Sequence, residues 1–304
     1  MEYLLLQVLN GVQLGLLMFL LAAGLTLTLG IMDLVNLAHG SLYMMGAYIA
    51  WTLIGLTDSF VLGALLALPA TFLLGVVVEA VVIRRLYARD HLTQVLATFG
   101  LILFFNELVR ALWGPGGKSI AVPPFLNRTI EILPGVPYPA YRFAIIVVGA
   151  VVAILLAWLV ARTRLGMLIR AGASNRRMIG ALGVNIELLF SLVFGLGAVF
   201  AGLAGLMAAP IASVRIGMGD DILILALVII VIGGIGSIKG AFIAAMVVGQ
   251  IDIVGRAFLP DFLKTFMSSS AASSAAPAIS QVLVYVLMAA VLVWRPTGLF
   301  GQRT

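Results

Sequence analysis

Charged and hydrogen-bonding side chains are scarce in this chain, so each place where they collect inside apolar sequence is a candidate for chemistry. The first is DLVNLAHGS, where Asp33, Asn36, His39 and Ser41 interrupt a run of leucine and alanine. Such side chains cannot face lipid cheaply and usually line a bundle interior or a watery path. At helical spacing Asn36 and Gly40 would share one face, with Asp33 and Asn36 on another diagonal. A pathway-lining or hinge role fits this stretch, and so does a plain cytoplasmic connection with Asp33 as a helix cap. The second place is GGIGSIKGAF, where Gly233, Gly234, Gly236 and Gly240 let a chain bend sharply and approach another backbone. It reads either as the break in a discontinuous helix pair or as a tight cytoplasmic turn.

Other chemistries find little support. Gly117-Lys118-Ser119 matches the tail of a phosphate-binding loop, but the glycine required five residues earlier is Leu112. The glycine run at 233–240 lacks the G-x-G-x-x-G spacing of a nucleotide site. Glu79, Glu107 and Asp252 each have an arginine within five residues, which predicts interfacial ion pairs rather than a proton relay. No serine, histidine and carboxylate can be placed together as a hydrolytic set. With no cysteine, and His39 and His91 the only histidines, neither thiolate chemistry nor a histidine metal site is expected.

A third collection is purely basic. Arg162, Arg164, Arg170, Arg176 and Arg177 occur with no acid before Glu187, between the apolar runs AIIVVGAVVAILLAWLV and LLFSLVFGLGAVFAGLAGLMAA. One arginine at the bilayer centre costs about 2.5–3.5 kcal/mol on insertion scales, so five together form a loop, placed on the cytoplasmic side by their charge. Met167, Leu168, Met178, Ile179 and Leu182 alternate with the arginines, and Gly172, Gly180 and Gly183 punctuate them. The pattern predicts one or two short amphipathic helices. They either offer a mixed basic and apolar face to a cytoplasmic partner or anchor the flanking spans to lipid headgroups.

The elements that position these residues follow from composition. Of 304 residues, 63% are hydrophobic and 10% charged, against about 45–50% and 25% in soluble domains. The chain is therefore a polytopic membrane protein, and its net charge of +6 reports topology rather than nucleic-acid binding. No lysine or arginine precedes Arg84, so a cleaved signal peptide is not expected. Spans are expected near 4–29, 42–56, 60–83, 92–112, 143–160, 188–209, 222–232, 241–258 and 282–294. That gives eight or nine crossings, according to whether 31–39 lies in or below the membrane. Gly11-x-x-x-Gly15 allows close helix approach in the first span. The segment 113–141 holds six of the eleven prolines and is expected as a non-helical external loop. Residues 161–185 form the cytoplasmic loop. Residues 210–221 form a short turn, and 259–280, with its SSSAASSAAPA run, a flexible external loop. Arg84, Arg85, Arg89, the basic loop, Lys239, Arg295 and Arg303 then fall on one side, placing the N-terminus outside and the C-terminus in the cytoplasm.

Five motifs, in order, carry a resemblance across nearly the whole chain: DLVNLAHGSLYMMGAY, LATFGLILFFNELVRALWGP, TRLGMLIRAGASNRRMIGALGVN, GGIGSIKGA and RPTGLFG. Together they resemble the permease subunit of branched-chain amino acid ABC importers, the LivH-type branch. The resemblance implies an all-α polytopic membrane protein, a single permease domain of the type II-like importer class over residues 1–304, with some broken helices, in the bacterial cytoplasmic membrane. It implies a second related permease, two cytoplasmic ATPase subunits that use the ATP, and an external substrate-binding protein, with no cofactor bound by this chain. Ala171 to Val184 would then dock on the ATPase, with Arg170, Ala171, Ser174, Asn175, Arg176, Arg177, Ile179, Leu182 and Gly183 as coupling candidates. Asn36, Ala38, His39 and Gly40 would line or hinge the pathway. Asp33, where similar chains carry smaller or neutral residues, and the serine/alanine run at 268–276 depart from the pattern. A urea or short-amide permease and an ion-coupled secondary carrier are the alternatives, the latter requiring an unpaired intramembrane carboxylate.

Overall fold

The computed structural model describes residues 2–133 and 135–301, and at Leu133 and Arg176 it describes the backbone alone. Arg303 lies outside the described residues. The described chain forms α1 (Glu2–Met32), α2 (His39–Thr57), α3 (Phe60–Val81), α4 (His91–Trp113), α5 (Ala140–Arg162), α6 (Arg164–Ala181), α7 (Ile186–Ala208), α8 (Met218–Gly233), α9 (Ile238–Leu263) and α10 (Ser269–Trp294). Helices dominate because backbone polar groups in lipid have to be satisfied within the segment itself. Seven of them, α1, α3, α4, α5, α7, α9 and α10, are long and apolar enough to cross a membrane. The eight or nine crossings expected roughly fit these seven together with α2 and α8, which fall short of the same length and hydropathy.

Polar residues fix where the helices begin. Ser59, Asp90, Thr163, Asn185, Ser237 and Ser268 each accept a backbone N–H at the start of the helix that follows, meeting donors the helix itself leaves unpaired. Among the described residues, the proline-rich segment has no α-helix between Trp113 and Ala140, only a 3-10 turn at Pro124–Leu126. It folds into a hairpin of β1 (Thr129–Leu133) against β2 (Val136–Pro139).

The expectation of a flexible loop over 259–280 is overturned. α9 runs on to Leu263, and α10 begins at Ser269, inside the serine/alanine run. Alanine is the strongest helix former, and Ser268 supplies the cap. Ala272, Ala276 and Ser280 recur at i, i+4 and are buried. A Cβ on Gly255 of α9 would lie 2.6 Å from Ser280 Oγ, so small residues let the two helices close together. Single cysteines introduced from 270 to 280 into this cysteine-free chain should label with helical periodicity. Positions 272, 276 and 280 should be protected and 273, 274 and 278 reactive, whereas uniform labelling would restore the loop.

The chain divides into two compact units. Unit 1 comprises residues 1–19, 122–151 and 227–304. In it, a Cβ on Gly249 of α9 would lie 2.6 Å from the Gly11 carbonyl, the close approach that Gly11 and Gly15 were expected to permit. The hairpin is tied down where the Tyr138 hydroxyl and Arg142 Nη1 donate to Asn10 Oδ1 at 3.2 and 2.8 Å. Unit 2 comprises residues 20–121 and 152–226 and is built on α2, α3 and α7 packed on one another. Glycines set the spacing there, with Gly46 against Gly202 and Gly205 against the Tyr43 carbonyl.

Candidate functional site

In unit 2 the chain leaves α1 at Met32 and doubles back. His39 Nε2 lies 3.2 Å from the carbonyl oxygen of Leu21, eleven residues up α1, or about 16 Å at the helical rise. Six residues, 33–38, make the link, from Asp33 in a left-handed conformation to a turn at Leu37 and Ala38 in which the His39 N–H donates to the Asn36 carbonyl at 3.4 Å. α2 therefore begins beside the middle of α1 rather than at its foot. Asn36 is not helical, so the shared helical face expected for Asn36 and Gly40 does not exist. The Asn36 side chain instead bends over the helix start and accepts the Ala38 N–H at 3.0 Å.

This helix start is buried and polar. Asn36, His39, Gly40 and Ser41 are all buried. Among the described residues Asn36 Nδ2, His39 Nδ1 and Ser41 Oγ have no hydrogen-bond partner. Asp33 is not part of the group, being exposed at the foot of α1 in a left-handed conformation (φ 52°). A segment that sequence reasoning read as a plain external turn belongs here instead. After α7 the chain re-enters, and a Cβ on Gly40 would overlap the carbonyl of Gly219 at the start of α8. Two helix starts thus meet backbone to backbone, and only glycine fits on either side. The GxG at 217–219 followed by a helix of 16 residues was the available signal.

The other glycine candidates lie in unit 1 and separate by role. Gly233 and Gly240 face each other so closely that a Cβ on either would overlap the other's backbone. Gly234 (φ 100°) and Gly236 (φ 78°) supply left-handed turns between α8 and α9. The discontinuous-helix reading therefore gains the close approach it needed, at Gly233 and Gly240 rather than Gly236. Sequence reasoning missed the cover on this break. The RPTGLFG turn lies over it, with Leu299 and Phe300 N–H donating to the carbonyls of Ile232 and Gly233 at 2.8 and 3.0 Å. These bonds satisfy the end of α8, which has no further helical turn to do so.

The basic stretch is helical and kinked, as expected of a helix or two. α6 breaks at Asn175 (φ −156°, ψ 92°), whose side chain restarts the helix by accepting the Met178 N–H at 2.9 Å. Gly183 (φ 87°) ends it, with Val184 N–H bonded to Ile179 O and Gly183 N–H to Gly180 O, the left-handed stop that glycine favours. Ile169, Gly172 and Ile179 are buried. Arg170, Ser174, Asn175, Arg177, Leu182 and Gly183 are exposed, with Met167 and Met178 beside them, and Ala171 is half-buried. Ile179 thus holds the segment down and is not offered outward, which corrects its place among the coupling candidates. The side chain of Arg176 lies outside the described residues.

The predicted ion pairs form, Glu107 with Arg110 and Asp252 with Arg256. The third is larger than expected. Glu79, near the end of α3, is fully buried, and all its acceptor positions are used. Oε1 accepts from Arg84 Nε at 3.2 Å and the Tyr87 hydroxyl at 2.7 Å, and Oε2 from Arg84 Nη2 at 3.0 Å and Ser191 Oγ at 2.6 Å. Arg84 Nη1 also donates to Glu187 Oε2 of α7 at 3.1 Å. Burial first, and the Glu79 carboxylate next, push the Tyr87 hydroxyl well above its ordinary value, so it stays a donor. Nearby, the Thr93 hydroxyl and amide hold Asp90 below the usual carboxylate range. Among the described residues the buried carboxylates are Glu79 and Asp252, and each carries an arginine.

A family model described as branched-chain amino acid transport system / permease component matches residues 7–292. The chain belongs to that family. This permease is 30% identical to the high-affinity branched-chain amino acid transport system permease protein BraD of Pseudomonas aeruginosa, over 97% of its own length and 95% of BraD. It is 27% identical to LivH of Escherichia coli K12, the permease protein of a high-affinity branched-chain amino acid transport system, covering 99% and 96% of the two chains. It is also 27% identical to a probable LivH of Methanocaldococcus jannaschii, covering 94% and 89%. No solved structure matches it. The permease is a transport subunit and a multi-pass membrane protein.

Proposed function

We propose that this chain is the membrane-spanning subunit of an ATP-driven importer that carries branched-chain amino acids across the cytoplasmic membrane. The substrate class is taken from BraD and LivH, whose names state it. It is delivered by an external binding protein, and ATP is hydrolysed by two cytoplasmic ATPase subunits, with a second related permease completing the pore. The permease binds no cofactor itself.

The kink in α6 is the observation that carries the reading. An anchor lies in the plane of the membrane interface with one continuous apolar face turned to lipid, which a kinked helix does not present. Here the apolar residues Ile169 and Ile179 are turned inward, and what faces outward is a bent surface mixing Arg170 and Arg177 with Met167, Met178 and Leu182. Arginine and methionine are enriched at protein interfaces, and methionine fits irregular grooves. The pathway reading rests on the buried, unpartnered polar atoms at the start of α2, where it meets α8. Half-helix starts inside a membrane bundle are where transporters hold polar groups of a substrate. Asn36, His39 and Gly40 line that point, and Gly233, Gly234, Gly236 and Gly240 hinge the break between α8 and α9.

Replacing Arg170 and Arg177 together with glutamate is expected to weaken co-purification of the ATPase subunits at least about tenfold, the scale of a lost interface anchor. The permease should still insert, because both side chains are exposed. Undiminished co-purification would remove the docking assignment. Calorimetry on the partner binding protein with leucine, isoleucine, valine and urea then names the substrate.

A further inference from the structure

Arg84 holds two acids that differ in how readily they let go. Glu79 is gripped in full burial through two nitrogens, and losing that grip would strand a carboxylate away from water. Glu187 is reached by a single nitrogen and is 71% exposed, so water replaces the contact at little cost. The guanidinium is a fixed post at the end of α3, tied to α7 by its Nη2 donating to the buried Ser191 Oγ at 2.9 Å and by the exposed, releasable arm to Glu187.

The arm grips the first turn of α7, two residues past Asn185, the cap that closes the basic segment. α6 leans on the same turn. A Cβ on Gly172 would be in ordinary contact with Leu189 of α7 and Ile31 of α1, at 3.6 and 3.5 Å. On the other side of the post, the Tyr87 hydroxyl on Glu79 lies 3.9 Å from Sδ of Met32, the last residue of α1 before the 33–38 link. α6 thus touches both the turn of α7 that carries Glu187 and, at Ile31, the last turn of α1 before the link.

We propose that Arg84 is a positioning residue for transport, its arm to Glu187 passing the movement of α6 on to α3 and to the foot of the 33–38 link. This rests on α6 being the segment the ATPases hold. Of the bonds that join Arg84 and Glu79 to α7, the arm to Glu187 is the exposed one, a discrete contact that opens and closes while the buried Ser191 bonds stay shut, which is what a two-state transmission requires.

The test uses the complete importer in proteoliposomes, measuring ATP hydrolysed per amino acid taken up. Glu187→Gln keeps the shape and removes the charge at an exposed position, so the chain folds. ATP consumed per substrate is expected to rise about fivefold, the lower end of ordinary coupling between two sites. Glu187→Asp, which keeps the charge, should stay within about twofold of the parent. A merely structural role would lower assembly and uptake together and leave the ratio alone. An unchanged ratio in Glu187→Gln overturns the proposal, and so does loss of ATPase binding in that variant, since the contact would then serve docking. Failure of the docking reading itself would show separately, in the Arg170/Arg177 variant.

Discussion

Replacing Arg84 with alanine is expected to destabilise the folded permease by about 3–5 kcal/mol, the cost of leaving a buried charge without its partner. Glu79 is the residue that suffers. Two of its four hydrogen bonds come from Arg84, and full burial gives it no water in exchange. Glu187→Gln, at the other end of the same guanidinium, should cost no more than about 1 kcal/mol because that contact is exposed. Thermal unfolding in detergent, compared across the two variants, reads the difference. Equal losses would mean that the buried pair does not govern this end of unit 2. Glu79→Gln together with Arg84→Gln should recover part of the loss, since the uncompensated charge is then gone.

The second large effect is expected at the meeting of α2 and α8. Gly40→Val would place a branched side chain where the Gly219 carbonyl already lies. Backbone cannot rotate out of the way, so the penalty should reach or exceed the about 1–3 kcal/mol usual for overpacking. A penalty of that size confined to the conformation in which the helix starts touch would shift the transporter away from it by tenfold or more, at about 1.4 kcal/mol per decade. Uptake should fall accordingly while the protein still inserts. Gly40→Ala and Gly219→Ala break the same contact, so their combined effect should be much less than the sum of the two. Additive effects, or normal uptake in Gly40→Val, would show that the contact is not part of the transport cycle.

What could be read from the sequence was local. Apolar runs bounded by arginine located most spans, and Glu79, Glu107 and Asp252 announced their partners because each arginine lies within five residues. The kinked amphipathic helix between α5 and α7 was legible because methionine, leucine and isoleucine alternate with arginine there. What escaped depends on distant partners. Arg84 and Glu187 are 103 residues apart, and nothing around Ser191 marks it as the third ligand of Glu79. The run at 210–221 looks like any external turn until Gly40 is placed against Gly219. Ser268–Ala278 sends opposite signals, serine suggesting a linker and alanine a helix. Gly255 on α9 decides the matter, and no reading of residues 259–280 alone contains it. The glycines at 233–240 were found, but not their division of labour. That depends on backbone angles and on a C-terminal turn some sixty residues away.

The central claim is that the bent basic helix lies in the cytoplasm and is held there by the ATPases. Ser174 is exposed, just before the kink, and the chain has no cysteine of its own, so a Ser174→Cys variant carries a single reactive thiol. A membrane-impermeant maleimide should fail to label it in intact cells, label it in inverted membrane vesicles, and lose that labelling when purified ATPase subunits are added back. Labelling from outside intact cells, or labelling in vesicles that the ATPases leave unchanged, would contradict the account.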